Sequence, residues 1–395
     1  MRAKLRHFAL NCLASLLSLA ACLTILELVV FRHFLVPDDV LANVTINGVV
    51  RYQPNSTAVF RHPDGRTSTA TINADGWNST KPRYERNHPP GKVRIAVVGD
   101  SYVHGAFIDS AKGFPEVLER TLQSRGTPAE VLRFGMDGAP LSQYLHMLRR
   151  EVIAYAPDVV VIPLIHNDFD ESWRFLATRY ASSFMKIDTD APGGPAELLP
   201  ADFKPGVADL LRQFATFRYL YYKTNAYLRL KAFVSRYFWG GNEDWNRAYI
   251  QSAVDIRKIA DDRRNRIAAR HVLWGMKRLA ARHGFKLLFV MDGVREAVYD
   301  AKPQSAYAVG KLNALAADLT TELDLPFVDL YELFRSDWQA HHRRFEFAYD
   351  WHWNERANRL VGEEIARVLQ PTLNPLAKQA ATPATGRKPA TKAGG

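Results

Sequence analysis

Short apolar runs alternate with amphipathic segments through most of the chain beyond residue 92. The runs are brief and rich in β-branched residues, as expected of strands buried on both faces of a sheet. Five such strands are predicted: Arg94–Val98, Glu130–Phe134, Asp158–Ile165, Phe285–Met291 and Phe327–Leu330. Because strands that alternate with helices are typical of a parallel sheet covered on both faces, the pattern predicts an α/β fold.

Helical periodicity fills the intervals between these runs. Helices are predicted from Phe114–Pro115, over Leu141–Ala156, over His271–His283 and from Asn354. The last helix places five apolar residues on one stripe: Ala357, Leu360, Val361, Ile365 and Val368. Asn354 precedes this stripe, and asparagine is a favoured helix N-cap.

Residues 169–270 interrupt the alternation. They contain a Pro/Gly loop, aromatic stretches at residues 214–227 and 233–245, and a charged helix around Arg257–Arg270. We interpret them as a helical insertion, which forms either a cap beside a functional site or a surface elaboration or membrane-resting face. The main domain is predicted over residues 92–372. A polar lead-in precedes it over residues 36–91, with strand-like pieces at Val49–Tyr52 and Thr67–Ile72, and residues 373–395 are predicted to be a disordered tail.

The N-terminus is almost continuously apolar over residues 8–35. About 20 apolar residues cross a bilayer, whereas the core of a cleaved signal peptide has about 7–15. This segment therefore predicts a retained transmembrane signal anchor. Basic residues in the stub of residues 1–7 and acidic residues after the segment predict a cytoplasmic N-terminus, with the rest of the chain in the periplasm of a bacterium.

A lipoprotein is the alternative to this anchor. Leu19–Cys22 resembles a bacterial lipobox, which would make Cys22 a lipidated N-terminus. Apolar sequence continues from Leu23 to Val30, where a lipoprotein normally becomes polar. Both interpretations place the chain at a membrane.

Composition narrows the function classes. The chain of 395 residues is 47% hydrophobic and 24% charged, as in globular proteins. Its net charge of +11 comes from scattered basic residues without a stripe interleaved with aromatics, so nucleic acid is not an expected partner. The two cysteines, Cys12 and Cys22, lie in the apolar N-terminus, and His341–His342 lack zinc-site spacing, so neither a cysteine nucleophile nor a metal is expected.

Candidate chemistry lies at two distant points of the chain. Ser101, in Gly99-Asp100-Ser101, follows the first predicted strand, and Asp350-Trp351-His352 precedes the last helix. A serine hydroxyl needs a base to take its proton, and an imidazole needs a carboxylate to fix its tautomer. Asp350 and His352 project to the same side of an extended segment. Each motif alone is also compatible with an ordinary loop serine or surface histidine.

Two further residues are candidates for an oxyanion hole, which needs hydrogen-bond donors aimed at a developing negative charge. Gly138 follows the second strand and offers a backbone N–H, and Asn167 follows the third and offers a side-chain amide. Glycine and asparagine are also common turn residues. Because ligands bind beyond the carboxyl ends of parallel strands, all these groups are expected at one rim of the sheet.

Together these motifs resemble the Ser, Gly, Asn and His blocks of the SGNH (GDSL-like) hydrolase superfamily, over roughly residues 92–369. The resemblance implies a three-layer α/β/α, flavodoxin-like fold with a five-stranded parallel sheet and no metal or organic cofactor. It implies Ser101 as nucleophile, His352 as base and Asp350 as its orienting carboxylate. It also implies an oxyanion hole formed by the N–H groups of Ser101 and Gly138 and the amide of Asn167.

The sequence departs from the family pattern at three places. Tyr102 stands where the GDSL signature has leucine, which we take as a minor change, and Ile165 stands at a position that is usually glycine. The last block reads Asp-x-His-Trp, a form similar to that of membrane-linked proteins that O-acetylate alginate and related polysaccharides.

Three functions are compatible with these observations. The first is a serine esterase acting on O-acyl, particularly O-acetyl, esters of carbohydrate or lipid. The second is an O-acyltransferase that modifies an extracytoplasmic polysaccharide with an acyl group from a multi-spanning membrane donor protein. The third is a glycan-binding scaffold that keeps the fold without catalysis.

Overall fold

The computed structural model describes residues 2–175, 182–224 and 256–381. The chain divides into two compact units. One comprises Met1–Asn43, Thr57–Thr69 and Lys204–Arg247, and the other comprises Val44–Ser56, Ala70–Phe203 and Ala248–Gly395. The aromatic stretch at residues 233–245 and the tail beyond residue 381 lie outside the described residues.

Strands and helices are numbered separately in chain order. The strands of the described residues are β1 (Asn43–Ile46), β2 (Val49–Tyr52), β3 (Thr57–Arg61), β4 (Thr67–Thr71), β5 (Val93–Gly99), β6 (Ala129–Gly135), β7 (Val159–Leu164), β8 (Lys186–Asp188), β9 (Ala196–Leu198), β10 (Lys286–Met291), β11 (Phe327–Asp329), β12 (Glu346–Phe347) and β13 (Asp350–Trp353). The α-helices of the same residues are α1 (Arg2–Ile25), α2 (Ser101–His104), α3 (Phe114–Ser124), α4 (Leu141–Arg150), α5 (Asn167–Glu171), α6 (Val207–Leu211), α7 (Ala215–Arg218), α8 (Arg263–His283), α9 (Arg295–Tyr299), α10 (Gly310–Glu322), α11 (Tyr331–His341) and α12 (Glu355–Ala381).

The smaller unit is built around the N-terminal helix. α1 continues without a break into π-helical turns over Leu26–Phe34. The segment Lys4–Phe34 contains an 18-residue stretch with a mean hydropathy of 2.3 and is long and apolar enough to cross a membrane, as an anchor or a signal sequence. Glu27 on this segment accepts hydrogen bonds from the backbone N–H groups of Ala215 (2.9 Å) and Thr216 (2.8 Å), and so caps α7.

The larger unit contains a five-stranded parallel sheet in the order β11-β10-β7-β5-β6. Counted along the chain, this is the 2-1-3-4-5 order of flavodoxin-like folds. All five predicted strands are present, so the predicted α/β class and parallel sheet are confirmed. β5 and β6 are parallel and end at the same register position, where Gly99 pairs with Gly135. The loops that follow the two strands therefore leave the same edge of the sheet.

Helices cover both faces of this sheet. α3 and α12 pack on each other and on β5 or β6, whereas α4, α8 and α10 lie on the opposite face. Gly362 allows the contact between α3 and α12, because a Cβ there would lie 2.8 Å from the Phe114 carbonyl oxygen and 2.7 Å from the Val117 Cβ. Asn358 strengthens the contact by accepting a hydrogen bond from the Phe114 N–H (3.0 Å). The result is the expected three-layer α/β/α arrangement.

The structure differs from two of the sequence-based boundaries, one at the C-terminal end of the main domain and one at the end of the insertion. The predicted tail from residue 373 begins instead with helix, since α12 continues to Ala381 through Pro371 and Pro375. Leu373 is completely buried, and this apolar contact holds a segment whose composition suggested disorder. The predicted end of the insertion at residue 270 falls inside α8, one continuous helix, and the insertion also contains the antiparallel pair β8–β9.

Candidate active site

Ser101 is presented by a tight turn between β5 and α2. A Cβ on Gly99 would collide with the Val103 side chain, so only glycine lets the chain turn directly from the strand into the helix. The Asp100 carboxylate accepts a hydrogen bond from the Tyr102 N–H (2.9 Å) and caps α2. The turn therefore holds Ser101 at the carboxyl end of a central strand.

Asp350 and His352 lie on a single antiparallel hairpin formed by β12 and β13. Phe347 pairs with Asp350 across this hairpin, and Ala348 and Tyr349 form its turn. Asn354 follows directly and accepts hydrogen bonds from the N–H groups of Arg356 (3.0 Å) and Ala357 (3.1 Å), as predicted for the N-cap of the last helix. The hairpin is thus attached to α12, which packs on the same strand that delivers Ser101.

The three side chains form a continuous hydrogen-bonded chain. His352 Nε2 lies 2.7 Å from Ser101 Oγ, and His352 Nδ1 lies 2.5 Å from Asp350 Oδ1. The same Asp350 oxygen accepts the backbone N–H of His352 at 2.8 Å, which fixes the carboxylate relative to the ring. This arrangement leaves Nε2 without the proton when the imidazole is neutral, so it can accept the proton of the serine hydroxyl.

Electrostatics favour the charged forms of this pair. Burial acts to raise the pKa of Asp350, but the charge of His352 and its hydrogen bonds outweigh burial, and the pKa lies below its usual value. Burial acts to lower the pKa of His352, but the Asp350 carboxylate outweighs it, and the pKa lies above its usual value. Asp350 thus stabilises an imidazolium at position 352.

A second carboxyl group lies next to the nucleophile. Burial raises the pKa of Asp100 to about 7, the charge of His352 acts against this rise, and Asp137 adds to it. Asp100 and Asp137 both act to raise the pKa of His352. The region around Ser101 is therefore acidic and favours a positive charge on His352.

Gly138 and Asn167 lie in the loops that flank Ser101. Gly138, with φ of +69°, follows β6, and Asn167 is the first residue of α5 after β7. β6 and β7 are the two neighbours of β5, so both loops open at the edge that carries Ser101. Burial raises the pKa of the nearby Glu171 to about 8, and the Asn167 side chain acts against this rise. Donation by these groups to a substrate oxyanion stays a prediction.

The turn before Asn167 is held by Asp168 rather than by a glycine. Asp168 accepts hydrogen bonds from the Ile165 N–H (2.8 Å) and from the Tyr144 hydroxyl (2.7 Å). Both partners are fully buried, so the carboxyl is locked beneath the loop. This network explains how isoleucine replaces the usual glycine without loss of the turn.

Sequence analysis missed a buried arginine that joins the two halves of the site. Arg295 on α9 donates to the Trp351 carbonyl, to the Tyr102 hydroxyl (2.6 Å) and to Asp292 Oδ2 (2.9 Å). The Tyr102 hydroxyl donates in turn to the Trp351 carbonyl (3.0 Å), and the Trp353 indole donates to Asp292 Oδ1 (3.1 Å). We call Tyr102, Asp292, Arg295, Trp351 and Trp353 the arginine clamp.

The clamp corrects one interpretation made from the sequence. Tyr102 in place of leucine is not a minor change, because its hydroxyl is part of the link between the Ser101 turn and the His352 hairpin. A signal for the clamp was available, since Asp292 follows the fourth strand as the other candidate residues follow theirs. Among the described residues, no cluster of three or more His, Cys, Asp or Glu side chains is arranged to hold a metal ion.

A hydrogen-bonded Ser, His and Asp at the carboxyl edge of a parallel 2-1-3-4-5 sheet define the class of SGNH-type hydrolases. The sequence profile of the GDSL-like lipase/acylhydrolase family matches residues 97–360, more than half of the chain, and the protein belongs to this family.

Solved structures of low sequence identity match most of the chain. An acetyl xylan esterase, AlAXEase, is 12% identical with a TM-score of 0.39, and the match covers 70% of this chain and 100% of that one. The lipase/acylhydrolase from Enterococcus faecalis is 15% identical with a TM-score of 0.37, covering 71% and 96%. No curated protein gave a significant match to the sequence.

Proposed function

We propose that the protein is a serine esterase that cleaves O-acyl esters, O-acetyl esters in particular, of carbohydrate or lipid. The observation that carries this proposal is the hydrogen-bonded chain from Ser101 Oγ through His352 to Asp350. A glycan-binding scaffold would not need an imidazole held between a hydroxyl and a buried carboxylate. Membership of an acylhydrolase family supports the same conclusion.

The first half of the reaction forms an acyl-enzyme. His352 Nε2 takes the hydroxyl proton as Ser101 Oγ attacks the ester carbonyl carbon, and the carbonyl oxygen becomes an oxyanion. The N–H groups of Ser101 and Gly138 and the amide of Asn167 stabilise that charge. When the C–O bond to the alcohol breaks, His352 returns its proton to the departing alcohol oxygen, and the acyl group remains on Ser101.

The second half reverses these roles. A water gives a proton to His352 Nε2 and attacks the acyl carbon, and the bond to Ser101 Oγ then breaks as Oγ regains the proton. The products are a carboxylic acid and the free enzyme. Asp350 stays ionised throughout and stabilises the imidazolium in both halves, in keeping with the direction of its pKa shift.

Hydrolysis of p-nitrophenyl acetate by the purified full-length protein in detergent tests this proposal. Ser101→Ala is expected to remove turnover and labelling by a fluorophosphonate probe, and peptide mapping of the wild type is expected to locate the probe on Ser101. Equal rates for the wild type and Ser101→Ala, together with no labelling, would sink the proposal.

Acyl transfer to a sugar hydroxyl is the second candidate. It keeps the acyl-enzyme but lets an acceptor alcohol replace water, and it is favoured by the exposed aromatic ring of Tyr349 beside the hairpin of the base. A multi-spanning membrane protein would supply the acyl group. Addition of an acceptor glycan should then divert the acyl group from water to the glycan, and a product ratio unaffected by any acceptor would count against transfer.

We further propose that the N-terminal helix is a retained anchor in a bacterial inner membrane, with the catalytic domain in the periplasm. The uninterrupted helical segment from Arg2 to Phe34, with Cys22 near its middle, supports an anchor over lipidation at Cys22. Intact-mass measurement is expected to find an uncleaved N-terminus in the membrane fraction. Incorporation of palmitate that disappears in Cys22→Ser would favour the lipoprotein instead.

A further inference from the structure

Phe107 lies beside the imidazole of His352 and packs against two further aromatic side chains, Phe347 and Tyr349. The Phe107 ring centroid lies 5.8 Å from that of His352 and 6.3 Å from those of both Phe347 and Tyr349. Phe347 and Tyr349 stack on each other, with centroids 5.5 Å apart and planes at 28°. We call Phe107, Phe347 and Tyr349 the aromatic wall.

The wall is held in place at a conformational cost. Phe107 has a φ of +63°, a left-handed backbone conformation that is rare for a bulky residue and costs about 1–3 kcal/mol. Tyr349 is 42% exposed at the tip of the hairpin. A strained phenylalanine and an exposed tyrosine are poor choices for stability alone, and such features concentrate where a protein binds a ligand.

The position of the wall determines which part of an ester it can contact. In the proposed reaction His352 Nε2 gives its proton to the alcohol oxygen, so the alcohol part must lie within hydrogen-bond reach of this ring. Two of the three proposed oxyanion donors, Gly138 and Asn167, lie in the loops after β6 and β7, whereas His352 lies on the hairpin that carries Phe347 and Tyr349. The wall therefore lies on the side of the base, next to the alcohol rather than next to the carbonyl oxygen.

We infer that the aromatic wall binds a sugar ring, the alcohol part of the ester, by stacking against its C–H face. This inference rests on the proposed esterase function and names its substrate class. The flat face of a pyranose presents C–H groups that complement the negative face of an aromatic ring. The Tyr349 ring is open to solvent and carries a hydroxyl, which suits a wet, hydroxyl-rich partner better than an acyl chain, since acyl chains require enclosure.

Two acetate esters with different alcohols test the inference on the full-length protein in detergent. One is a monoacetylated methyl glucoside, and the other is ethyl acetate, whose alcohol has no ring. Tyr349→Ala is expected to lower kcat/KM for the sugar ester about tenfold more than for ethyl acetate, mainly through KM. A tenfold loss corresponds to about 1.4 kcal/mol, the size of one stacking contact.

Two variants provide the controls. Tyr349→Phe keeps the ring and is expected to retain most of the preference for the sugar ester. Trp274→Ala removes an equally exposed aromatic ring from α8, which carries none of the triad residues, and the preference should stay at the wild-type value.

Each outcome decides between the inferences. Equal losses of kcat/KM on both esters in Tyr349→Ala would mean that the ring only supports the hairpin, and this result would overturn the inference. A wild-type protein that does not prefer the sugar ester would also overturn it. Failure of the esterase proposal looks different, because neither ester would then be cleaved and Ser101 would not react with a fluorophosphonate.

Discussion

Replacement of Arg295 by lysine tests two expected effects of the arginine clamp, its contribution to the free energy of unfolding and its control of the position of His352 relative to Ser101. Lysine keeps a positive charge next to Asp292, but its single ammonium cannot reproduce the fork that contacts Asp292, Tyr102 and the Trp351 carbonyl together. Two of these three contacts are therefore lost. Hydrogen bonds that involve a charged group contribute about 1.5–3 kcal/mol each, so we expect Arg295→Lys to lower the free energy of unfolding by about 3 kcal/mol or more.

The catalytic effect follows from what the clamp joins. Trp351 lies between Asp350 and His352, and Tyr102 follows Ser101, so a loosened clamp lets the base move relative to the nucleophile. A displacement of about 1 Å in a catalytic group can cost about 100-fold in rate. We expect kcat for p-nitrophenyl acetate to fall by about that factor in Arg295→Lys, and the rate of fluorophosphonate labelling to fall with it.

Arg94→Lys is the matched control. Arg94 is also fully buried, and it forms a similar fork to Glu130 (2.6 Å), the Tyr155 carbonyl (2.6 Å) and the Asn87 carbonyl (2.8 Å). It lies at the start of β5, whereas Ser101 follows the end of that strand. Urea unfolding should show a comparable loss of stability in both variants, with kcat preserved in Arg94→Lys. If Arg295→Lys loses stability but keeps wild-type kcat and labelling, the clamp does not position the base.

Three further predictions concern other parts of the site and fold. The rate constant kcat/KM should rise with pH through a pKa above the usual histidine value, because only neutral His352 accepts the serine proton. Asp350→Asn removes the charge that raises this pKa, so the acid limb of the pH–rate profile should move to lower pH while kcat falls. An unmoved limb would contradict the assigned coupling between Asp350 and His352. Asn167→Ala should lower kcat by about 100-fold to 1000-fold with little change in KM if its amide contacts the oxyanion, and an unchanged kcat would exclude that contact. Gly362→Val should lower the free energy of unfolding by about 1–3 kcal/mol, because its side chain would meet the Phe114 carbonyl and Val117; unfolding at the wild-type urea midpoint would show that α3 and α12 can separate freely.

Much of the fold could be predicted because its strands are buried on both faces. A run such as Val93–Gly99, completely buried in the sheet, has few alternatives to a central strand, and its end marks the rim where Ser101 lies. The proximity of Asp350 to His352 could be predicted for a different reason, since the two residues are close in sequence and their spacing alone aligns them on one side of a strand.

Other features depend on contacts that no local pattern records. Arg295 lies on the short helix Arg295–Tyr299, which reads as an ordinary amphipathic turn, and its partners Tyr102 and Trp351 are distant in sequence. The composition of residues 373–395 indicated disorder, and Pro371 and Pro375 each lack a backbone N–H group, but Leu373 is buried and α12 continues to Ala381. In both cases tertiary packing decides against the local signal.

The attachment of the His352 hairpin to α12 has a consequence for the order in which the residues of the site are synthesised. Ser101, Gly138, Asn167 and four of the five sheet strands precede residue 292. Asp350 and His352 come later, on the hairpin at residues 346–353, and this hairpin leads into the helix whose Asn358 and Gly362 contact α3. A nascent chain therefore carries Ser101 before Asp350 and His352, its hydrogen-bonded partners, have been synthesised. Loss of the final helix would leave all five sheet strands and Ser101 in the chain but would remove the element to which the His352 hairpin is attached.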